Sequence, residues 1–374
     1  MNFTVSSTAL LNRLQIIGKT INPKSPLPIL ENFLLKLEGD TLTITASDLE
    51  TTLTTSIPVV DASGEITVAI SAKFLMDTLR EFAEQPLKFE INPENLAIVI
   101  KTEYGNYNFI GQKGDEFPAM PELEDEFNTI TVSAESLMSG INKTSFATAD
   151  DDLRPAMTGI FFDIKPDNLT YVATDAHKLV RLISKTANET EEASFVLPKK
   201  PANILRNVIV KENNDVEISF DKKNIIFKLS EYLMICRQIE ARFPNYNGVI
   251  PQNNPFKLIV DRVVMLNALR RVSVFSNQGT GLVKLSIKTN EILLSAQDID
   301  FSISAEEKIA CQYEGENINI GFKAPFLIDI LNNISSSDII IELADPSRAG
   351  VILPLENEPN EELLTLIMPM LIND

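Results

Sequence analysis

The sequence predicts an α+β fold of three tandem domains, each a doubled βαβββ-like unit with antiparallel sheets. A strand ending in aspartate recurs as LTITASD (Leu42 to Asp48), LTYVATD (Leu169 to Asp175) and ILLSAQD (Ile292 to Asp298), the aspartates lying 127 and then 123 residues apart. Helical leucines keep a similar period, with Leu79, Leu205 and Leu331 each 126 residues apart, as are the pairs Phe117-Pro118 and Phe243-Pro244. Finally, several alternating apolar runs stand between isolated helical patterns, unlike the strict alternation of a parallel α/β fold. A period near 125 is far longer than that of solenoid repeats, so the copies are domains.

The first domain opens with a strand, Phe3 to Val5, and Ser6 or Ser7 caps a helix with Leu10, Leu11, Leu14 and Ile17 on one face. Pro23, Pro26 and Pro28 break the chain before strands Phe33 to Leu37 and Leu42 to Ala46, which turn at Gly39-Asp40. A strand at Thr67 to Ile70 leads into a second helix capped by Ser71. Strands at Leu87 to Ile91, Ala97 to Lys101 and Asn106 to Gly111 follow. The order restarts at Thr129, where TITVSAESL gives strand, cap and helix, and LPKKPANILRNVIV supplies the second helix. It restarts again near Phe256, with helix VDRVVMLNALRRVSVF, strands Val283 to Ile287 and Ile292 to Ala296, and helix KAPFLIDILNNI. The domains expected are 1–128, 129–254 and 255–374.

A chain of 374 residues that is 44% apolar and 23% charged is ordinary for a globular protein of two or three domains. No run approaches the roughly 18 to 20 apolar residues of a membrane span, and the start lacks a signal peptide's pattern. Cys236 and Cys311 fall in different repeats, read as buried strand residues and form no disulfide framework. The expected compartment is the cytoplasm.

The net charge of −19 argues at first against nucleic acid. The charge is segregated, however. Helix windows 6–20, 71–84, 133–148, 197–210, 260–277 and 323–334 hold twelve basic and six acidic residues, leaving −25 on everything else. Lysine and arginine favour helices, but glutamate does so equally and is scarce there. A positive helical surface in a negative protein suits a polyanion gripped by its backbone without sequence reading.

Catalytic signatures are missing. His177 is the sole histidine, and no CxxC, HExxH, EF-hand loop, phosphate-binding loop or G-x-S-x-G occurs. The carboxylate clusters Asp150-Asp151-Asp152 and Glu122 to Glu126 read as solvated loops. The alternative function they leave open is a metal-dependent hydrolase. A structural repeat protein is a further alternative, disfavoured by the basic helices. Neither a metal nor any other cofactor is expected.

The strings ATDAHKL, ARFPNY and LIMPM, with NFTV at the start and PLPIL-x-N-F-L-L near it, resemble the bacterial β sliding clamp family over the whole chain. That family comprises the processivity subunits of DNA polymerase III. The resemblance implies the DNA clamp fold: a head-to-tail homodimeric ring with sheets outside and helices inside, encircling duplex DNA without catalysing a reaction. It further implies a pocket for peptides of the polymerase III alpha subunit, the clamp loader and repair proteins. Carried over by position, that pocket comprises Met157, Thr174, Ala176, His177, Lys178, Leu179, Pro244, Val249, Phe326, Ile367, Met368, Pro369, Met370 and Leu371. Ala176 stands where the family usually has glycine, Lys178 where it often has arginine, and Gly248 and Leu371 where some relatives have arginine. Lys24 and Arg154 match family positions near the duplex. Charge alone adds Lys199, Lys200, Arg206, Arg270 and Arg271. At the ring joint, Tyr107 and Phe109 are expected to meet Val274 and Phe275, the alternative being that all four are plain core.

Overall fold

In the computed structural model, which describes residues 1–151, 153–185 and 192–372, the strand–helix–three-strand order appears six times. The first copy is β1 (Asn2–Ser6), α1 (Ser7–Ile17), β2 (Asn32–Glu38), β3 (Thr41–Ser47) and β4 (Thr51–Pro58), followed by a short additional strand, β5 (Val60–Ser63). The second is β6 (Ile66–Ser71), α2 (Ala72–Arg80), β7 (Pro86–Ile91), β8 (Ala97–Lys101) and β9 (Asn106–Ile110), with a two-residue strand β10 (Gln112–Lys113) after it. The third is β11 (Asn128–Ser133), α3 (Ala134–Thr144), β12 (Gly159–Lys165), β13 (Asn168–Thr174) and β14 (Lys178–Ser184). Next come β15 (Ala193–Pro198), α4 (Lys199–Ile209), β16 (Asp215–Phe220), β17 (Asn224–Lys228) and β18 (Tyr232–Arg237). The fifth copy is β19 (Phe256–Asp261), α5 (Arg262–Ser273), β20 (Leu282–Lys288), β21 (Glu291–Asp298) and β22 (Ile303–Ala310). The sixth is β23 (Ile318–Lys323), α6 (Ala324–Asn332), β24 (Asp338–Leu343), β25 (Gly350–Pro354) and β26 (Glu361–Ile367).

The first strand of each copy leaves its own meander and joins that of its sister. β1 pairs with β7 and β6 with β2; β11 pairs with β16 and β15 with β12; β19 pairs with β24 and β23 with β20. A copy therefore cannot complete its sheet alone. The meanders then fuse across the repeats. β4 pairs with β18 over Thr51–Thr55, and β14 pairs with β26 over all seven residues Lys178–Ser184. All these pairings are antiparallel.

By contacts the described chain forms two compact units. Residues 1–135 and 200–238 hold a five-stranded sheet, β5-β1-β7-β8-β9, and a nine-stranded one, β10-β6-β2-β3-β4-β18-β17-β16-β11. The other unit, residues 136–199 and 239–374, holds an eight-stranded sheet, β15-β12-β13-β14-β26-β25-β24-β19, and a four-stranded one, β22-β21-β20-β23. Alternating strand residues such as Phe33, Leu35 and Leu37 of β2 are buried, as period-two patterning requires. Onto them pack helix residues at helical spacing, Leu10, Leu14 and Ile17 of α1 or Leu75 and Leu79 of α2.

The helices are shorter than their sequence windows. Ser6 does cap α1, accepting from Ala9 N at 3.1 Å, whereas Ser71 makes no side-chain cap bond. Helix α2 stops at Arg80, and Glu84, expected within it, instead accepts from Thr8 N at the start of α1 at 3.1 Å. Trimming sharpens the segregation: the six α-helices carry ten basic residues and only three acidic ones, Asp77, Glu135 and Asp329. Both cysteines are buried; Cys236 lies in β18, while Cys311 follows β22 and is not a strand residue. No helix among the described residues is long and apolar enough to cross a membrane.

Candidate partner-docking site

The recurring aspartates close strand-end turns. Asp48 Oδ1 accepts from the N–H of Glu50 and Thr51, and Asp298 Oδ1 from those of Asp300 and Phe301. Asp175 Oδ1 does the same for His177 and Lys178, both at 2.8 Å. A short acidic side chain suits this role because it binds backbone donors two and three residues on.

The Asp175 turn carries additions. Ala176 sits at φ 73°, the left-handed region. Lys178 is buried, its Nζ bonded to Asp175 Oδ2 at 2.6 Å and 4.3 Å from the centre of the Phe326 ring on α6. The His177 ring stacks on Phe326 at 5.9 Å. His177 O accepts from Met368 N at 2.8 Å, and Gly321 O from Met370 N at 2.8 Å. A side chain at Gly321 would bring a Cβ to 3.0 Å from Met370 O, so the close approach of the tail requires glycine there. Turn, tail and α6 are thus stitched into one surface.

Not every pocket residue expected from the sequence faces that surface. Thr174, Lys178, Leu179 and Ile367 are buried and form its floor, with Thr174 Oγ1 donating to Lys178 O at 2.8 Å. Leu179 shares an apolar cluster with Ala156, Phe243, Tyr246, Ile250 and Leu366. Met157, Pro244 and Val249 neighbour three of those residues in sequence; Met157 is half-buried, and Pro244 and Val249 are exposed. Ala176, His177, Met368 and Leu371 are exposed, while Phe326, Pro369 and Met370 are half-buried. Tyr246 donates to Asp163 Oδ2 at 2.7 Å, and burial first, then that carboxylate, pushes its hydroxyl up to about 12. Sequence reasoning missed Lys323, whose Nζ lies 4.9 Å from the centre of the Phe326 ring.

The basic residues expected at DNA are mostly occupied. Arg154 bonds Asp151 at 3.0 Å, Lys199 bonds Asp150 at 2.6 Å, and Lys200 bonds Asp48. Arg271 bonds Glu307, which holds that carboxyl below its usual range, and Arg270 bonds Asn332 at 2.8 Å. Lys24, Arg206 and Arg270 are exposed with no carboxylate partner among the described residues. The Arg154–Asp151 and Lys199–Asp150 pairs are exposed and worth only about 0–1 kcal/mol, so a phosphate can displace the carboxylate, whereas Asp48 is mostly covered. Three other helix cations counted toward the positive surface are structural. Arg13 pairs with Glu231 beside Tyr232, Lys143 pairs with Glu361, and Arg262 donates to Ser336 O at 2.8 Å and Leu331 O at 3.1 Å.

The acidic loops are likewise paired, Asp150 and Asp151 as above and Glu124 with Lys223; Asp152 lies outside the described residues. Among the described residues no group of three or more His, Cys, Asp or Glu could hold a metal ion. Tyr107 on β9 and Val274 and Phe275 just after α5 are exposed, and Phe109 is half-buried, which removes the plain-core reading for the first three. Tyr107 packs edge-on against Phe82 at 4.9 Å.

Comparison with known proteins agrees with this architecture. Residues 1–121, 131–245 and 247–371 match the family models for the N-terminal, central and C-terminal domains of the DNA polymerase III beta subunit. The chain is 26% identical to the beta sliding clamp of Pseudomonas aeruginosa over 99% of this chain and 100% of that one. It is also 26% identical to that of Bacillus subtilis, over 99% of each. Among solved structures, the Thermotoga maritima beta subunit superposes with a TM-score of 0.90 at 26% identity over 100% of both chains. A Bartonella birtlesii clamp solved with griselimycin bound gives 0.91 at 26% identity, again over 100% of both. Repeated exchanged-strand units and three consecutive family matches have one reading: the chain belongs to the beta sliding clamp family, the non-catalytic processivity subunits of DNA polymerase III.

Proposed function

We propose that two copies of this chain close head to tail into a ring around duplex DNA in the cytoplasm. The ring tethers the replicative polymerase and docks its partners by short peptides. One observation carries the ring. Six meanders each end in an outer strand, and four of these pair with one another, β4 with β18 and β14 with β26. The remaining two, β9 and β22, are bare sheet edges. Exposed edges with unpaired N–H and C=O groups invite a further strand. The pairing already used twice within the chain would satisfy both between chains, with Tyr107 and Phe109 beside β22 and with Val274 and Phe275. The domain limits that follow are 1–128, 129–254 and 255–374.

Within the ring, Lys24, Arg154, Lys199, Lys200, Arg206, Arg270 and Arg271 hold the phosphate backbone without reading bases. Ala176, His177, Phe326, Met368 and Met370 form the face of the peptide pocket, over the floor of Leu179 and Ile367. Met157, Pro244, Val249, Pro369 and Leu371 extend it. Alpha subunit, clamp loader and repair proteins compete there for adaptable methionine-rich surface. Light scattering on the eluting protein should give twice the 41.6 kDa chain mass. Ile110→Lys with Val274→Glu, at the two joint faces, should give a folded monomer; a native chain monomeric at micromolar concentration would overturn the ring.

A further inference from the structure

We infer that Lys323 makes the docking site prefer partner peptides that present a carboxylate beside the Phe326 ring. The inference rests on the pocket reading above. Lys178 and Lys323 both place their ammonium groups against that ring, at 4.3 and 4.9 Å, yet they are not equivalent. Lys178 is buried and neutralised by Asp175 at 2.6 Å, so it offers no net charge to a partner. Lys323 is only partly covered, and no carboxylate among the described residues lies within ion-pairing distance. The face of an aromatic ring attracts an ammonium and limits its range, so Lys323 is held at the site and not left to roam in solvent.

Its position on the chain reinforces this. Lys323 lies two residues along β23 from Gly321, whose carbonyl anchors Met370 of the tail. It is also the N-cap residue of α6, where a serine, threonine, aspartate or asparagine oxygen commonly accepts from the first turn. Here no side chain caps the helix and its first turn holds no acidic residue. The ammonium therefore adds to the helix's own positive end where an anion is favoured. Asp329, three residues beyond Phe326, is the opposing charge. Its carboxyl is pushed up chiefly by burial, Lys178 pulls it down and Asp175 pushes it up, and it forms no ion pair with Lys323 among the described residues. The positive charge beside Phe326, without a carboxylate among the described residues, is thus left for a partner to neutralise.

The test uses the full chain and pairs of fluorescent pentapeptides of Leu, Phe and Ala, identical except for Asp or its neutral isostere Asn at each position in turn. Polarisation titrations should find one position at which Asp binds about 3- to 10-fold more tightly than Asn. High salt should shrink that ratio. Lys323→Met, which keeps the apolar stem, should bring it to about 1. A preference that survives Lys323→Met, or no preference at any position, overturns the inference while the pocket stands. Met368→Ala with Met370→Ala should weaken both peptides. If that double variant binds them as the native chain does, the pocket reading falls and takes the inference with it.

Discussion

Ala176 holds a left-handed backbone, φ 73°, at the tip of the turn that faces the tail. For a residue with a Cβ this conformation costs about 1–2 kcal/mol, whereas glycine adopts it freely at an entropic cost of about 0.5–1 kcal/mol. Ala176→Gly should therefore raise stability by about 0.5–1 kcal/mol, seen as a higher urea midpoint at unchanged slope. A lower midpoint would mean that the turn is unstrained. The sequence showed that the strand ending in Asp175 recurs in all three domains while the histidine that follows it, His177, occurs once. It could not show that Lys178 turns inward while Lys323 turns outward. That distinction depends on Asp175 and Phe326 meeting across about 150 residues of chain, and nothing local encodes it.

At the scale of elements, Arg262 shows how a helix cation can serve the fold. It is the first residue of α5, and its guanidinium closes the far end of α6 through Leu331 O and the following Ser336 O. The last carbonyls of a helix lack intrahelical partners, so these bonds complete α6. Arg262→Met should cost about 1–3 kcal/mol in thermal or chemical denaturation by leaving those carbonyls unsatisfied. A neutral effect would mean that water replaces the guanidinium fully. Element order was readable in the sequence because turn chemistry and apolar spacing are local. Leu10, Leu14 and Ile17 do share a buried face, and Asp48, Asp175 and Asp298 do end their strands. Helix ends were less readable, since Ser71 has the right chemistry for a cap but forms no cap bond. Strand exchange was not readable at all. Phe3 opposes Phe89, and no feature of either strand names the other.

For the whole molecule, the helix charge must be weighed against its pairing. Most of the cations proposed for DNA already have carboxylate or amide partners, so binding exchanges one weak contact for another and gains chiefly from released counterions. Retention should come from topology and not from affinity. Once placed by its loader on nicked circular duplex, the protein should survive a high-salt gel-filtration column, and cutting the circle should release it. Equal loss from circular and linear DNA would argue for ordinary binding. The threefold period and the helix charge were both legible in the sequence. The bare edges β9 and β22 were not, because an edge is defined only by what the other strands have paired with.

The seam between β14 and β26 sets an order of events during synthesis. Its pairs join Lys178 to Ile367 and Ser184 to Glu361, so β14 waits nearly half the chain for its neighbour. Closing so long a loop is slow, and domains emerge from the ribosome amino end first. The tail segment Met368–Leu371 follows β26 directly, so it reaches the Asp175 turn only after that late strand has been made. A chain stopped just before it would hold β14 but neither the Met368–His177 nor the Met370–Gly321 bond. The surface around His177 is thereby finished only after β26 has joined the sheet.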